Sequence, residues 1–173
     1  MFPRSIVFIV LLLFFISQNS IAQTATGALG VTATVAPVPS VPSTCVLDSV
    51  TSMIFPNYNP LDAHSDDATA LITMTCNAGI SYDIGINEGH GSGATESNRS
   101  MTEVFPEATG LLPYGLFQNS NHTDNWGDIL GKDTVHMEGN DLPQQLTVYG
   151  QISTDQMIEP GIYMDEVTII VTF

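Results

Sequence analysis

The chain has 173 residues and a mass of 18.6 kDa, which allows one ordinary domain. It carries 18 acidic against 3 basic residues, and the formal net charge of -15 excludes electrostatic binding to nucleic acid or to an anionic membrane. Because 43% of the residues are hydrophobic, the chain can bury a core, which excludes disorder of the whole chain.

Residues 1–22 have the pattern of a secretory signal peptide. Arg4 precedes an apolar run over residues 6–16, and small residues stand before Gln23 at the positions that a signal peptidase reads. The run is too short to span a bilayer, which takes about 20 residues, and no later segment is apolar over that length. We therefore expect a secreted chain that begins at Gln23 and has no transmembrane segment.

The first predicted strand, residues 28–36, is set apart from the rest of the chain. One of its faces would carry only apolar side chains, those of Leu29, Val31, Ala33 and Val35. A Pro-rich linker, residues 37–44, follows, and its prolines favour an extended polyproline conformation. An apolar face on such a tether needs a surface to bind. The alternative is an ordinary first strand that folds back onto its own sheet.

Two cysteines, Cys45 and Cys76, are the only ones in the chain. Export would place them in an oxidising compartment, and without a third or fourth ligand they are better interpreted as one disulfide than as a metal site. Closing the loop between them would stabilise the fold by roughly 3 to 4 kcal/mol. The alternative is a pair of buried free thiols.

Alternation of apolar and polar residues, with short apolar runs, dominates the chain after the signal and predicts an all-β fold. Each predicted strand is bounded by Gly, Pro, Asn or Asp. The strands are residues 28–36, 45–50, 69–76, 80–87, 112–118, 146–152 and 162–173, with a weaker one at 101–105. Short strands with a cysteine pair joining the first two core strands favour a small immunoglobulin-like sandwich. A barrel is the alternative.

The sequence contains no recognisable catalytic or metal-binding motif. The four histidines are His64, His90, His122 and His136, and none has a second ligand at a zinc spacing. There is no G-x-S-x-G motif, and the acidic residues are scattered through loops. We therefore expect no enzymatic activity, no metal and no cofactor.

Three further features are interpreted as structural. Residues 98–100 and 121–123 match the N-glycosylation pattern, which arises often by chance, and we interpret both as surface turns. Trp126, the only tryptophan, is interpreted as a core or sheet-end side chain.

A series of short blocks runs through most of the chain in a characteristic order. The blocks are residues 45–47 (CVL), 55–60 (FPNYNP), 73–76 (TMTC), 82–87 (YDIGIN), 112–117 (LPYGLF), 126–128 (WGD), 146–152 (LTVYGQI) and 161–169 (GIYMDEVTI), with the final aromatic Phe173. Together they resemble the spore coat protein U family, whose members include subunits of archaic chaperone-usher pili. Pro56 and Pro113 replace the usual glycine and polar residue, and the linker is longer than usual.

The resemblance implies an incomplete immunoglobulin-like β-sandwich, residues 45–173, whose missing strand comes from a neighbouring subunit. The donor strand would be residues 23–36, filling the neighbour's groove with Leu29, Val31, Ala33 and Val35. A periplasmic chaperone would first lend its own strand and hold the C-terminal strand. The residues expected to contact that chaperone are Val167, Ile169, Val171 and Phe173. An outer-membrane usher would then take over.

The sequence therefore predicts a non-enzymatic structural pilus subunit. It would pass through the periplasm to the surface of a Gram-negative bacterium, join a head-to-tail polymer and serve attachment or biofilm formation. The alternative is a self-contained secreted β-sandwich that acts as a binding or coat-like protein through loops at residues 89–94 and 119–131.

Overall fold

The structure, a computed structural model, describes residues 43–104 and 110–173. Nine strands occur in this part of the chain and no helix. They are β1 (Cys45–Val50), β2 (Asp66–Cys76), β3 (Ser81–Ile86), β4 (Arg99–Glu103), β5 (Leu111–Phe117), β6 (Val135–Glu138), β7 (Gln144–Ile152), β8 (Tyr163–Met164) and β9 (Ile169–Thr172). The predicted all-β class is confirmed. The predicted signal peptide, the donor strand and all of the linker before residue 43 lie outside the described residues.

The strands form two antiparallel sheets. The larger has six strands in the order β1-β2-β7-β5-β4-β8, and the smaller has three in the order β6-β3-β9. Neither sheet closes on itself within the described ranges, so the architecture is the predicted incomplete sandwich and not a closed barrel. As in other sandwiches, the core consists of the side chains that alternate inward along the strands. No described residue belongs to a helix long and apolar enough to span a membrane.

Burial alternates strictly along the C-terminal part of β2 and along β5 and β7, because successive side chains point to opposite faces of the sheet. The inward residues of the two sheets meet in one core. Its most deeply buried apolar members are Ile72, Met74, Tyr82, Ile84, Ile86, Trp126 and Ile152. The Trp126 indole donates a hydrogen bond of 2.8 Å to the carbonyl of Ile84, which confirms the core position predicted for it.

Cys45 and Cys76 form a disulfide. They are directly opposite each other in the β1–β2 ladder, so the bond joins the first two strands of the larger sheet. Beside it, the Thr44 hydroxyl and amide both donate to the Asn77 side chain. The predicted disulfide is confirmed, and the alternative of free thiols is wrong.

The C-terminal segment differs from the single strand predicted over residues 162–173. It forms β8, which pairs with β4 in the larger sheet, and then β9, which pairs with β3 in the smaller one. Asp165 lies at the crossing and accepts hydrogen bonds from the Tyr114 hydroxyl at 2.7 Å and from the His90 amide at 2.8 Å. A Cβ on Gly89, whose φ is +81°, would lie 2.2 Å from the Asp165 carboxylate, so the crossing also requires glycine there.

The sequence did not predict strand β6. It has only four residues, VHME, of which just Val135 and Met137 are apolar, and it lies at the edge of the smaller sheet. Its position is fixed by tertiary contacts. Asp83 on β3 accepts a hydrogen bond from the Thr134 hydroxyl at 3.1 Å and lies 3.2 Å from His136 Nδ1.

The interpretation of residues 98–100 as a surface turn is wrong for two of the three residues. Asn98 is exposed, but Arg99 and Ser100 begin β4 and are buried, and Arg99 is 0% exposed. Its guanidinium donates to four backbone carbonyls, those of Ile86, Asn87, Glu96 and Trp126. A buried cation satisfied by carbonyl oxygens ties the end of β3 to the loop that carries Trp126.

Candidate functional site

One edge of the sandwich leaves core-facing side chains uncovered on β1. Leu47 is paired with Met74 and Val50 with Ile72, and these two partners are buried in the core. Paired residues share a face of the sheet, so Leu47 and Val50 also point to the core side. They are nevertheless 43% and 48% exposed. The inner face of β1 therefore lacks a covering strand in the described part of the chain.

The facing edge is β9 in the smaller sheet. It pairs with β3 on one side, and among the described residues no strand pairs with its other side. Ile169 and Val171 alternate inward and are half-buried against the core, while Ile170 points outward. An edge of this kind presents unpaired backbone donors and acceptors beside an apolar face, which is the surface that an added strand binds.

Between the two edges lies a cavity of about 430 Å³, called here the strand groove. Its floor is the core itself, and its walls are residues that follow β1 and residues that precede and begin β9. The lining includes Val50, Met53, Phe55, Ile72, Ile86, Met101, Leu116, Val148, Val167 and Ile169. An apolar side chain entering the groove would be removed from water, which stabilises by about 1.5 to 3 kcal/mol for a buried Val or Leu.

A second cavity of about 680 Å³ adjoins the strand groove. It is called here the aromatic cavity and lies between residues 53–60 and residues 158–164. Five residues line both cavities, so the two are continuous: Met53, Phe55, Met101, Tyr163 and Met164. The whole concave surface thus follows one side of the sandwich past the end of β1.

The surface around these cavities is acidic. Of the basic residues in the described ranges, Arg99 is buried and Lys132 is exposed. Asp165 and Glu166 line the strand groove, and Glu159 lines the aromatic cavity. In contrast, residues 23–47 contain no charged side chain. This segment is therefore free of charge repulsion from the acidic groups around the cavities.

Three carboxylates lie together away from the groove. Oxygens of Glu88, Glu96 and Asp128 lie within 4.8 Å of one another, a spacing that could hold a cation. Burial lowers the pKa of Arg99, and attraction to Tyr114, Glu96, Asp165 and Asp128 opposes that shift. Two of the three carboxylates, those of Glu96 and Asp128, thus help to balance the charge of the buried guanidinium.

Tyr114 lines the strand groove, and its contribution to the free energy of unfolding should depend on pH. Burial first, and then its hydrogen bond to Asp165, raise the pKa of Tyr114 well above its usual value. Above about pH 10 the unfolded chain ionises this phenol while the folded chain does not, so stability falls by up to about 1.4 kcal/mol per pH unit. We expect Tyr114→Phe to reduce that slope in urea unfolding between pH 9 and 11.

A slope unchanged in Tyr114→Phe would contradict this assignment. Burial also raises the pKa of Tyr82 and of Tyr163, so a residual slope is expected in the variant. Below pH 9 the free energy of unfolding of the variant should be lower by only about 1 kcal/mol, the ordinary net contribution of one hydrogen bond.

The structure brings only part of the predicted site into view. Leu29, Val31, Ala33 and Val35 lie outside the described residues. Of the predicted C-terminal contacts, Val167, Ile169 and Val171 are half-buried against the core, whereas Phe173 is exposed. The groove-lining residues Val50, Met53 and Phe55, and the exposed inner face of β1 at Leu47, were not predicted. A local sequence pattern marks a strand but does not show which neighbour that strand lacks.

Comparison with known families gives a match over most of the chain. A family model described as Spore Coat Protein U domain matches residues 25–170. No curated protein matches the chain in sequence.

Among solved structures, the chain is similar to a chain in the crystal structure of the CsuC-CsuE chaperone-tip adhesion subunit pre-assembly complex, from archaic chaperone-usher Csu pili of Acinetobacter baumannii. The TM-score is 0.53 and the identity 20%. The match covers 76% of this chain and 40% of that chain, so this chain spans less than half the length of its structural neighbour. At this identity the likeness shows the fold.

Proposed function

Because the chain belongs to the Spore Coat Protein U domain family, we propose that it is a structural subunit of a chaperone-usher pilus. The observation that carries the proposal is the strand groove together with the inner face of β1 beside it, where core-facing Leu47 and Val50 remain exposed opposite the edge of β9 that pairs with no described strand. A strand inserted there would gain backbone hydrogen bonds and cover the core. The role is structural and non-enzymatic.

The occupant of the groove is the N-terminal strand of another copy or of a related subunit. In this proposal residues 1–22 are a signal peptide, 23–36 the donor strand, 37–44 a linker and 45–173 the accepting domain. Leu29, Val31, Ala33 and Val35 enter the groove. Because donor and groove are different surfaces of one chain, the contact is head-to-tail and extends into a fibre.

Before assembly a periplasmic chaperone occupies the same groove and contacts the C-terminal strand through Val167, Ile169, Val171 and Phe173. An outer-membrane usher then exchanges the chaperone's strand for the donor strand. The fold shared with a chain of a pilus chaperone–subunit complex supports this part of the proposal. The finished filament lies on the surface of a Gram-negative cell and serves attachment or biofilm formation.

The test uses two valines on one strand. Val50 faces the groove and is 48% exposed, whereas Val46 is paired with Thr75 on the outer face and is 54% exposed. We expect Val50→Glu to slow polymer formation at least about 100-fold, because a carboxylate would be buried beneath the donor strand. Val46→Glu should assemble nearly as fast as the unmodified chain. Light scattering after dilution from denaturant, with the disulfide intact, measures the rate.

Equal assembly of the two variants would contradict the groove as the binding site. A chain that remains monomeric in every form, with near-ultraviolet circular dichroism of a folded protein, would instead indicate a self-contained domain. Both valines are about half exposed in the free domain, so neither substitution buries a charge when the domain folds. A difference in assembly between the two variants would therefore not come from a folding defect.

A further inference from the structure

The aromatic cavity has a lining unlike that of the strand groove. It is walled by the rings of Phe55, Tyr58 and Tyr163, with Pro56, Pro60 and Pro160 between them. Two of these rings are held in place by their hydroxyls. The Tyr58 hydroxyl accepts a hydrogen bond of 2.8 Å from the backbone amide of Gln156. The Tyr163 hydroxyl donates one of 2.9 Å to the backbone carbonyl of Glu159. The rings are therefore fixed as a preformed apolar wall.

Aromatic walls of this kind bind polyproline segments, whose extended conformation is already fixed and costs little entropy on binding. The chain itself contains such a segment. Residues 37–43 have three prolines, Pro37, Pro39 and Pro42, interspersed with two valines, and they carry no charge. The chemistry of this linker therefore matches the aromatic cavity in the same way that the alternating strand before it matches the strand groove.

The order of the two matches selects a second copy as the partner. In the donor, the alternating strand comes first and the prolines follow directly. In the acceptor, the strand groove runs continuously into the aromatic cavity. A chain's own linker joins its domain at Cys45, the start of β1, whereas the aromatic cavity lies past the end of β1. If the linker folded back onto its own domain, its prolines would therefore lie at the wrong end of the strand groove, away from the aromatic cavity. A strand from another copy, antiparallel to β9, meets both in the right order.

Given the proposed function, on which this inference rests, we propose that the aromatic cavity binds residues 37–43 of a second copy of this chain. The linker is then a docked part of the joint between subunits and not a free spacer. At about 3.1 Å per residue in polyproline geometry these residues extend roughly 20 Å along the acceptor. The distance between neighbouring domains is fixed by that contact.

The test places a photoreactive benzoylphenylalanine in the full chain at position 41, and in a separate chain at position 29. Each is polymerised with an equal amount of ¹⁵N-labelled chain, so that mass spectrometry separates cross-links between copies from those within one copy. We expect position 41 to cross-link between copies to residues 53–60 or 158–164. Position 29 should cross-link between copies to the walls of the strand groove.

The two positions separate this inference from the proposed function. If position 29 cross-links to a neighbour's strand groove but position 41 links elsewhere, only within its own copy, or not at all, the docked linker is wrong and the pilus subunit stands. If position 29 also fails to link between copies, both are wrong.

A pair of exposed side chains gives a second measurement. Ile54 lines the aromatic cavity and is 82% exposed, and Leu61 lines neither cavity and is 81% exposed. We expect Ile54→Ser to speed dissociation of polymers about tenfold, since it removes apolar contact with the linker. Leu61→Ser should leave the rate unchanged, and equal rates for the two variants would overturn the proposal.

Discussion

Replacing Val31 with aspartate is expected to prevent the chain from joining head-to-tail polymers while the domain itself stays folded. In the proposed function Val31 enters the apolar strand groove of the neighbour, whose floor includes Ile72 and Ile86. Burying an unpaired carboxylate there costs several kcal/mol, so binding of the donor strand should weaken about 1,000-fold or more. Size-exclusion chromatography with light scattering, and electron microscopy of the product, measure the loss.

The control is Thr32→Asp, one residue further along the same strand. Since side chains alternate, this charge would point away from the groove, and polymers should still form. Mixing supplies a stronger check. Val31→Asp retains an intact groove and Val50→Glu retains an intact donor strand, so the two together should give heterodimers and nothing longer. Polymers formed by Val31→Asp alone, at the rate of Thr32→Asp, would refute donor-strand binding at this position.

The largest expected effect on stability is that of Arg99→Met. The substitution keeps a long side chain but leaves the carbonyls of Ile86, Asn87, Glu96 and Trp126 without their buried donor. Each unsatisfied buried carbonyl costs about 1 to 3 kcal/mol before the structure relaxes. We therefore expect the free energy of unfolding to fall by about 3 to 5 kcal/mol, measured by urea unfolding in the non-polymerising Val31→Asp background.

Lys132→Met provides the comparison because it removes the other basic residue in the described part of the chain. The Lys132 side chain is exposed, so its replacement should change stability by less than about 0.5 kcal/mol. If Arg99→Met cost no more than Lys132→Met, the guanidinium would not be a structural element of the core. The loss of stability in Arg99→Lys should be intermediate. A lysine ammonium keeps the positive charge, but it lacks the planar, forked set of donors with which the guanidinium reaches four carbonyls.

The strands were largely predictable because the information for them is local. Alternation gave β1 with its observed bounds, and β2, β3, β5 and β7 to within a few residues. The count of cysteines paired Cys45 with Cys76, since each of the two has one possible partner within the chain. The Pro-rich stretch before Cys45 also set the first predicted strand apart from the rest of the chain, and that prediction lies outside the described residues.

Three features depended on contacts between residues far apart in sequence. Residues 162–173 alternate as one strand, but the chain divides them between two sheets because Asp165 binds Tyr114 and His90 at the crossing. Arg99 reads as a surface cation in a glycosylation pattern, yet its carbonyl partners bury it. Strand β6 has too few apolar residues to be recognised without its partner β3.

The groove is the clearest case of what tertiary structure alone decides. The sequence by itself determined that strands form, where most of the described ones lie, and which cysteines join. It did not determine which edges remain unpaired, because an uncovered edge is the absence of a neighbour and leaves no local pattern in the strand that lacks it. Only the assembled sheets show Leu47 and Val50 facing the core and still exposed, since sheet order depends on long-range pairing.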